Sequence, residues 1–184
     1  PSASRTQPRT SADRSRAAPG AKAPAKPTAS APRSTAPVVA DIKTRYQEAL
    51  EQLRKGQLAD AEDTLEQIVK EAPDLSGPKT NLGIIYAKTN RRDDALSAFS
   101  KAAAANPRNI VAHNWLGTIY RENKDYPRAE AAYLKALAID DDYPPTLLNL
   151  AILYDEHLPQ PAKALDYYKK YKRKADNSET LKLN

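Results

Sequence analysis

The sequence predicts an all-α array of paired helices that carries an extended N-terminal tail. Two observations predict it. Beyond about residue 41 the chain resembles itself at one fixed interval, the step from Leu82 to Leu116 and on to Leu150, and its composition breaks at residue 40. A period of that length, with helical spacings inside each unit, marks stacked two-helix modules. One module has too little apolar surface to stand alone, so neighbours must cover it.

Residues 1–40 hold 11 Ala, 7 Pro, 6 Ser and 4 Thr, and no aromatic, Leu or Ile. Their 7 Lys and Arg face one acid, Asp13, for a net charge of +6. The other 144 residues carry 22 basic and 22 acidic side chains, so all the excess charge belongs to this segment. Such a composition does not bury enough apolar surface to offset the entropy of ordering, and it reads as an extended tether. A second reading is a basic arm that docks on a partner protein, an anionic surface or nucleic acid. The lack of aromatic residues for base stacking, and the wide spacing of the charges, argue against nucleic acid. A chain that starts at Pro1 and contains no Met is expected to be a processed product or a fragment, with any signal peptide already removed.

The elements follow from the pattern. Leu82-Gly83-x-x-Tyr86 recurs as Leu116-Gly117-x-x-Tyr120 and as Leu150-Ala151-x-x-Tyr154. Ala95-x-x-x-Phe99-x-x-Ala102 recurs as Ala129-x-x-x-Tyr133-x-x-Ala136, with Ala61-x-x-x-Leu65-x-x-Ile68 before them. Ala164-x-x-x-Tyr168-x-x-Tyr171 follows one position late, displaced by an extra residue near Pro159-Gln160-Pro161. Spacings of three and four residues mark helix faces. Small residues at Gly83, Ala95 and Ala102 let two helices approach, and Tyr86 and Phe99 fill the space beside them. Pro73 and Pro107, next to the turn formers Asp74 and Asn106, separate the units. Helices are expected near 41–54, 58–71, 77–89, 92–105, 111–122, 126–139, 145–157 and 161–174.

These residues resemble the tetratricopeptide repeat family. Leu82, Gly83, Tyr86, Ala95, Phe99, Ala102 and Pro107 carry the match in the second unit. Leu116, Gly117, Tyr120, Ala129, Tyr133 and Ala136 carry it in the third. The first unit keeps Ala49, Gly56, Ala61 and Pro73, and the fourth lacks the closing proline. The resemblance implies four helix-turn-helix repeats (42–75, 76–109, 110–143 and 144–177) in a right-handed superhelical solenoid. Residues 178–184 remain as a C-terminal tail or partial cap, with Leu181 and Leu183 as its apolar residues.

The family's partners lie in a concave groove lined by the first helix of each pair. Here its floor column is Leu50, Ile84, Thr118 and Ile152. Tyr46, Thr80, Asn114 and Leu148 lie one turn earlier. Leu53, Ala87, Arg121 and Asp155, then Arg54, Lys88, Glu122 and Glu156, lie one turn later. The rim is thus basic in the first two units and acidic in the last two. Asn81, Asn114 and Asn149 are expected to offer hydrogen bonds to an extended peptide. The family's carboxylate clamp is not expected: Tyr46, Leu50, Val111 and Trp115 hold its positions and only Asn81 fits. Tyr167, Tyr168 and Tyr171 on the last helix form a second expected docking face, because an array leaves an uncovered face at its end.

No catalytic chemistry is legible. There is no cysteine, so disulfides, thiol nucleophiles and cysteine metal sites are excluded. His113 and His157 stand in different units without a nucleophile motif. The five glycines form no phosphate loop. Asp140-Asp141-Asp142 reads as a solvated turn, and His113 as a packed core residue. The chain is expected to be no enzyme and to hold no metal or cofactor. It is expected to bind a protein or extended peptide, as an exported bacterial assembly or adaptor protein. The expected compartment is periplasmic, outer-membrane-associated or extracellular, with a lipid anchor on a lost N-terminal residue as one form and the cytoplasm as the alternative. Two other expectations are a homopolymer in which the tail docks on the next copy, and a tethered binder of an anionic surface or nucleic acid.

Overall fold

The structure is a computed structural model that describes residues 36–182, with side chains over 39–176. The tail expected over 1–40 lies outside the described residues as far as residue 35. Its last five residues instead open the first helix.

Among the described residues there are eight α-helices and no strand. They are α1 (Ala36–Arg54), α2 (Leu58–Glu71), α3 (Ser76–Lys88), α4 (Arg92–Ala105), α5 (Ile110–Glu122), α6 (Tyr126–Leu137), α7 (Pro144–Ile152) and α8 (Pro161–Lys182). A π-turn over Leu153–His157 prolongs α7. Each odd helix packs on the even helix after it, and each pair packs on the next. The expected bounds of α2 and α4 match those observed. At the two ends they do not. Ala36–Ala40 opens α1, and Pro37 falls in its first turn, where its missing N–H costs nothing. Beyond residue 174 no Pro or Gly stops α8. The segment expected as a separate tail over 178–184 therefore continues α8 as far as Lys182. The side chain of Leu181, and Leu183, lie outside the described residues.

The turns repeat as regularly as the helices. Gly56, Asn90 and Lys124 hold the same position in three successive units and have φ of 75°, 59° and 61°. Each lets the next residue's N–H donate five residues back: Gln57 to Gln52 at 2.9 Å, Arg91 to Tyr86 and Asp125 to Tyr120 at 2.8 Å. That arrangement satisfies the last carbonyls of the first helix. In the fourth unit Gln160 N–H reaches six residues back, to Tyr154 at 3.0 Å. The inserted residue therefore lies between Tyr154 and Gln160, and the π-turn absorbs it. Lys124 is a β-carbon residue in a region that disfavours one. Lys124→Gly is expected to raise stability by about 0.5–1 kcal/mol in chemical denaturation. Lys124→Ala, still carrying a β-carbon, should give no gain.

The core runs along the interior of the pairs. Phe99 and Tyr133 are fully buried, as are Ala95, Ala102, Ala129 and Ala136 to within 1%. A β-carbon on Gly83 would stand 2.7 Å from the Phe99 ring, and one on Gly117 would stand 2.5 Å from the Tyr133 ring. Both glycines exist so that an aromatic ring can lie against helix backbone. The first unit reaches the same closure with Ala49 and Leu65. In the fourth, Ala151 replaces the glycine and Tyr168 remains half-buried. Tyr86 is buried as expected, whereas Tyr120 is only half-buried. His113 is 9% exposed, its Nε2 lying 2.9 Å from the carbonyl oxygen of Pro107. It is the packed histidine the sequence implies.

Candidate partner-binding groove

The face of α1, α3, α5 and α7 presents the predicted floor. Leu50, Leu53, Ile84, Thr118, Leu148 and Ile152 are all half-buried. Arg54, Lys88, Glu122, Asp155 and Glu156 are exposed around them, and Arg121 is half-buried. The floor column thus retains apolar surface that the four repeats do not cover.

The neighbouring column does something else. Thr80 and Asn114 are 7% and 8% exposed, so they are seam residues between first helices, not lining. Asn114 Oδ1 accepts from Thr146 Oγ1 at 2.9 Å and from Asn149 Nδ2 at 3.0 Å. Asn81 Nδ2 donates to Tyr46 Oη at 2.9 Å. Asn109 Nδ2 donates to Ser76 Oγ and Thr80 Oγ1, each at 2.7 Å, while its Oδ1 caps α5 through Ala112 N–H at 2.9 Å. Asn81, Asn114 and Asn149, which the sequence suggested for a bound peptide, instead stitch one repeat to the next. A buried amide must find a partner, and at a spacing of one repeat the nearest one is on the adjacent unit. The residue that fitted a carboxylate clamp, Asn81, is engaged with Tyr46.

Tyr46 belongs to the same seam. Its hydroxyl would stand 2.8 Å from a β-carbon at Gly77. Burial holds its proton more tightly than in a free tyrosine, and the Asn81 hydrogen bond opposes that. Burial also raises Tyr133, whose hydroxyl donates to Thr118 Oγ1 at 3.2 Å, and Tyr86, pushed up to about 12 by burial and then by Glu66.

The structure adds a cleft midway along the array. Ala87, Lys88, Arg92, Trp115, Thr118 and Glu122 line it, between α3, α4 and α5. Trp115 is half-buried and stacks on Phe99 with centroids 5.5 Å apart. Arg92 Nε lies 3.6 Å from Glu122 Oε2, so an ion pair stands where the basic end of the rim meets the acidic end. Arg92 escaped the sequence reading because it opens a second helix. Trp115 carried a signal: it is the chain's one Trp, in the column that holds Asn81 in the unit before and Asn149 in the unit after.

At the far end Tyr167, Tyr168 and Tyr171 are each half-buried. Tyr167 stacks on Tyr154 at 5.7 Å, and Tyr168 Oη donates to Asp155 Oδ2 at 3.4 Å. Tyr154 Oη donates to Glu130, joining α7's end to α6. The acidic turn is tied to α8: Asp142 Oδ2 accepts from Lys174 Nζ at 3.0 Å. Among the described residues no group of three or more His, Asp or Glu converges as a metal site, and no helix is long and apolar enough to cross a membrane.

Comparison with known proteins agrees with this geometry. A tetratricopeptide repeat family model matches residues 80–144, the two units with the fullest pattern. The chain is 42% identical over 60 residues to anaphase-promoting complex subunit 3 of Schizosaccharomyces pombe, a match covering 33% of this chain and 9% of that protein. The chain spans less than a sixth of the length of the curated relatives it matches, at 9% and 15%. Among solved structures, a thermophilic TPR protein of Thermus thermophilus superposes with a TM-score of 0.64 and 25% identity, covering 81% of each chain. MamA superposes with a TM-score of 0.67 and 20% identity, covering 76% of this chain and 81% of that one. Repeat period, glycine–aromatic closure and turn geometry coincide with these matches: residues 80–144 are tetratricopeptide repeats, and the described helices share the fold of a solved TPR protein.

Proposed function

We propose that this chain is a non-enzymatic scaffold that holds a segment of a partner protein along the groove of its first helices. The observation that carries the reading is the half-buried floor of Leu50, Leu53, Ile84, Leu148 and Ile152, flanked by a rim of graded charge. Burying such a floor under apolar side chains of a partner supplies the main driving force. The rim supplies direction: the partner is acidic at the end over Arg54 and Lys88 and basic at the end over Glu122, Asp155 and Glu156. Because the seam amides are engaged between repeats, side chains rather than backbone hydrogen bonds set the specificity. That favours a partner helix, or an extended segment read through its side chains. The matched curated relatives carry names of complex subunits, which supports a role in assembly.

The test is selection of peptides from a displayed random library on the full chain. Selected sequences should be acidic at one end and basic at the other. Ile84→Glu with Ile152→Glu should lower their affinity at least tenfold. Equal binding to the variant would overturn the groove reading. As part of the same proposal we place the protein in an exported bacterial compartment, on the strength of its cysteine-free composition and its Ala/Pro-rich basic tether. Fractionation of the producing cell checks that placement.

A further inference from the structure

Each inner helix pair of the array is covered on both sides, and the two outer helices leave faces of opposite character. Leu82 and Ile85 of α3, and Leu116 and Ile119 of α5, are buried against the preceding repeat. The equivalents on α1 are Glu48 and Glu51, both exposed. At the other end, the residues of α8 equivalent to those that receive a following helix are Leu165, Tyr168, Lys169, Tyr171 and Lys172. Leu165 is 54% exposed, and Tyr168 and Tyr171 are half-buried.

The array's own internal contacts show how these two faces meet. Leu82 shares a cleft with Glu66 and Val69 of the repeat before it. Shifted to the ends, Leu82 becomes Glu48, and Glu66 and Val69 become Lys169 and Lys172. Glu62, which pairs with Arg91 of the next repeat at 2.6 Å, becomes Leu165. The junction between repeats is thus reproduced with an acid facing two bases. Glu48, Lys169 and Lys172 make no ion pair among the described residues, whereas Glu51 pairs with Arg54 of its own helix and with Lys55 just after it.

Helix lengths agree independently. α1 starts six residues before the first unit, at Ala36. α8 runs eight residues past Lys174, the equivalent of the last residue of α4, to Lys182. Inside the array the C-terminus of each second helix lies beside the N-terminus of the next first helix. The two extensions therefore fall on the same edge of an end-to-end junction.

We propose that copies of this chain associate head to tail, with α1 of one copy seated on α8 of the next and Glu48 set between Lys169 and Lys172. Leu165, Tyr168 and Tyr171 are covered in the process. A contact between two different faces does not close on itself as a twofold dimer does, so it propagates into a row. The groove stays open along that row, and the association is independent of any groove partner.

Sedimentation velocity of the full chain, from low micromolar to near-millimolar concentration, tests it. The weight-average mass should rise with concentration and fall as salt is added, since the junction is partly electrostatic. Glu48→Lys should stay monomeric, and so should Lys169→Glu/Lys172→Glu, each with unchanged helical circular dichroism. Mixed together, these two variants have two complementary junctions, the head of each facing the oppositely charged tail of the other, and should regain association as alternating rows. A native chain that stays monomeric at the highest concentration overturns the proposal. So does association that both charge reversals leave intact, or a mixture that stays monomeric.

Discussion

Phe99→Ala is expected to destabilise the array by about 3–5 kcal/mol, the range for removing a large aromatic side chain from a packed core. Phe99 is fully buried, lies against Gly83 and stacks on Trp115 at 5.5 Å. Its loss opens the interior of the second unit and the junction with the third at once. The chain carries its own control for this site. The first unit closes the same space with Ala49 and Leu65 in place of glycine and aromatic. Gly83→Ala alone pushes a β-carbon into the ring, and Phe99→Leu alone leaves a gap. Gly83→Ala/Phe99→Leu rebuilds the first unit's solution, so the double variant should be more stable than the sum of the singles by about 0.5–3 kcal/mol. Urea denaturation followed by helical circular dichroism and by Trp115 fluorescence measures this. Strict additivity would mean that glycine and ring do not touch as described.

Asn114→Leu is the second large effect, at about 1–3 kcal/mol. Its Oδ1 is the shared acceptor for Thr146 and Asn149, and Thr146 is fully buried. Removing it leaves the threonine hydroxyl without that partner in the seam between the third and fourth units. Since each repeat is stabilised by its neighbour, the loss should appear as early unfolding of α7 and α8, with the first two units holding longer. Amide hydrogen exchange resolves the two halves. A uniform loss along the array would contradict the seam role.

Repeat architecture was legible because it rests on side-chain size at fixed spacing. Gly83 with Phe99 and Gly117 with Tyr133 announce their closure in the sequence, and the bounds of α2 and α4 follow from the same pattern. The floor of the groove was legible for the same reason, as a column of apolar residues at one period. Polar residues in the adjacent column were not. Nothing local distinguishes Asn114, which is sealed between repeats, from an asparagine offered to a ligand; the difference lies in Thr146 and Asn149, a full repeat further along the chain. The ends escaped because no neighbouring unit constrains them. Ala36–Ala40 joins α1, with Pro37 in the first turn that tolerates it, against a composition that reads as tether, and the α8 extension follows from the lack of a stop signal.

The claim that the first helices hold a partner is tested most directly by hydrogen exchange of the full chain with and without a library-selected peptide. Binding should slow exchange in α1, α3, α5 and α7, with the largest change around Ile84 and Ile152. Protection confined to α2, α4 and α6 would contradict the account.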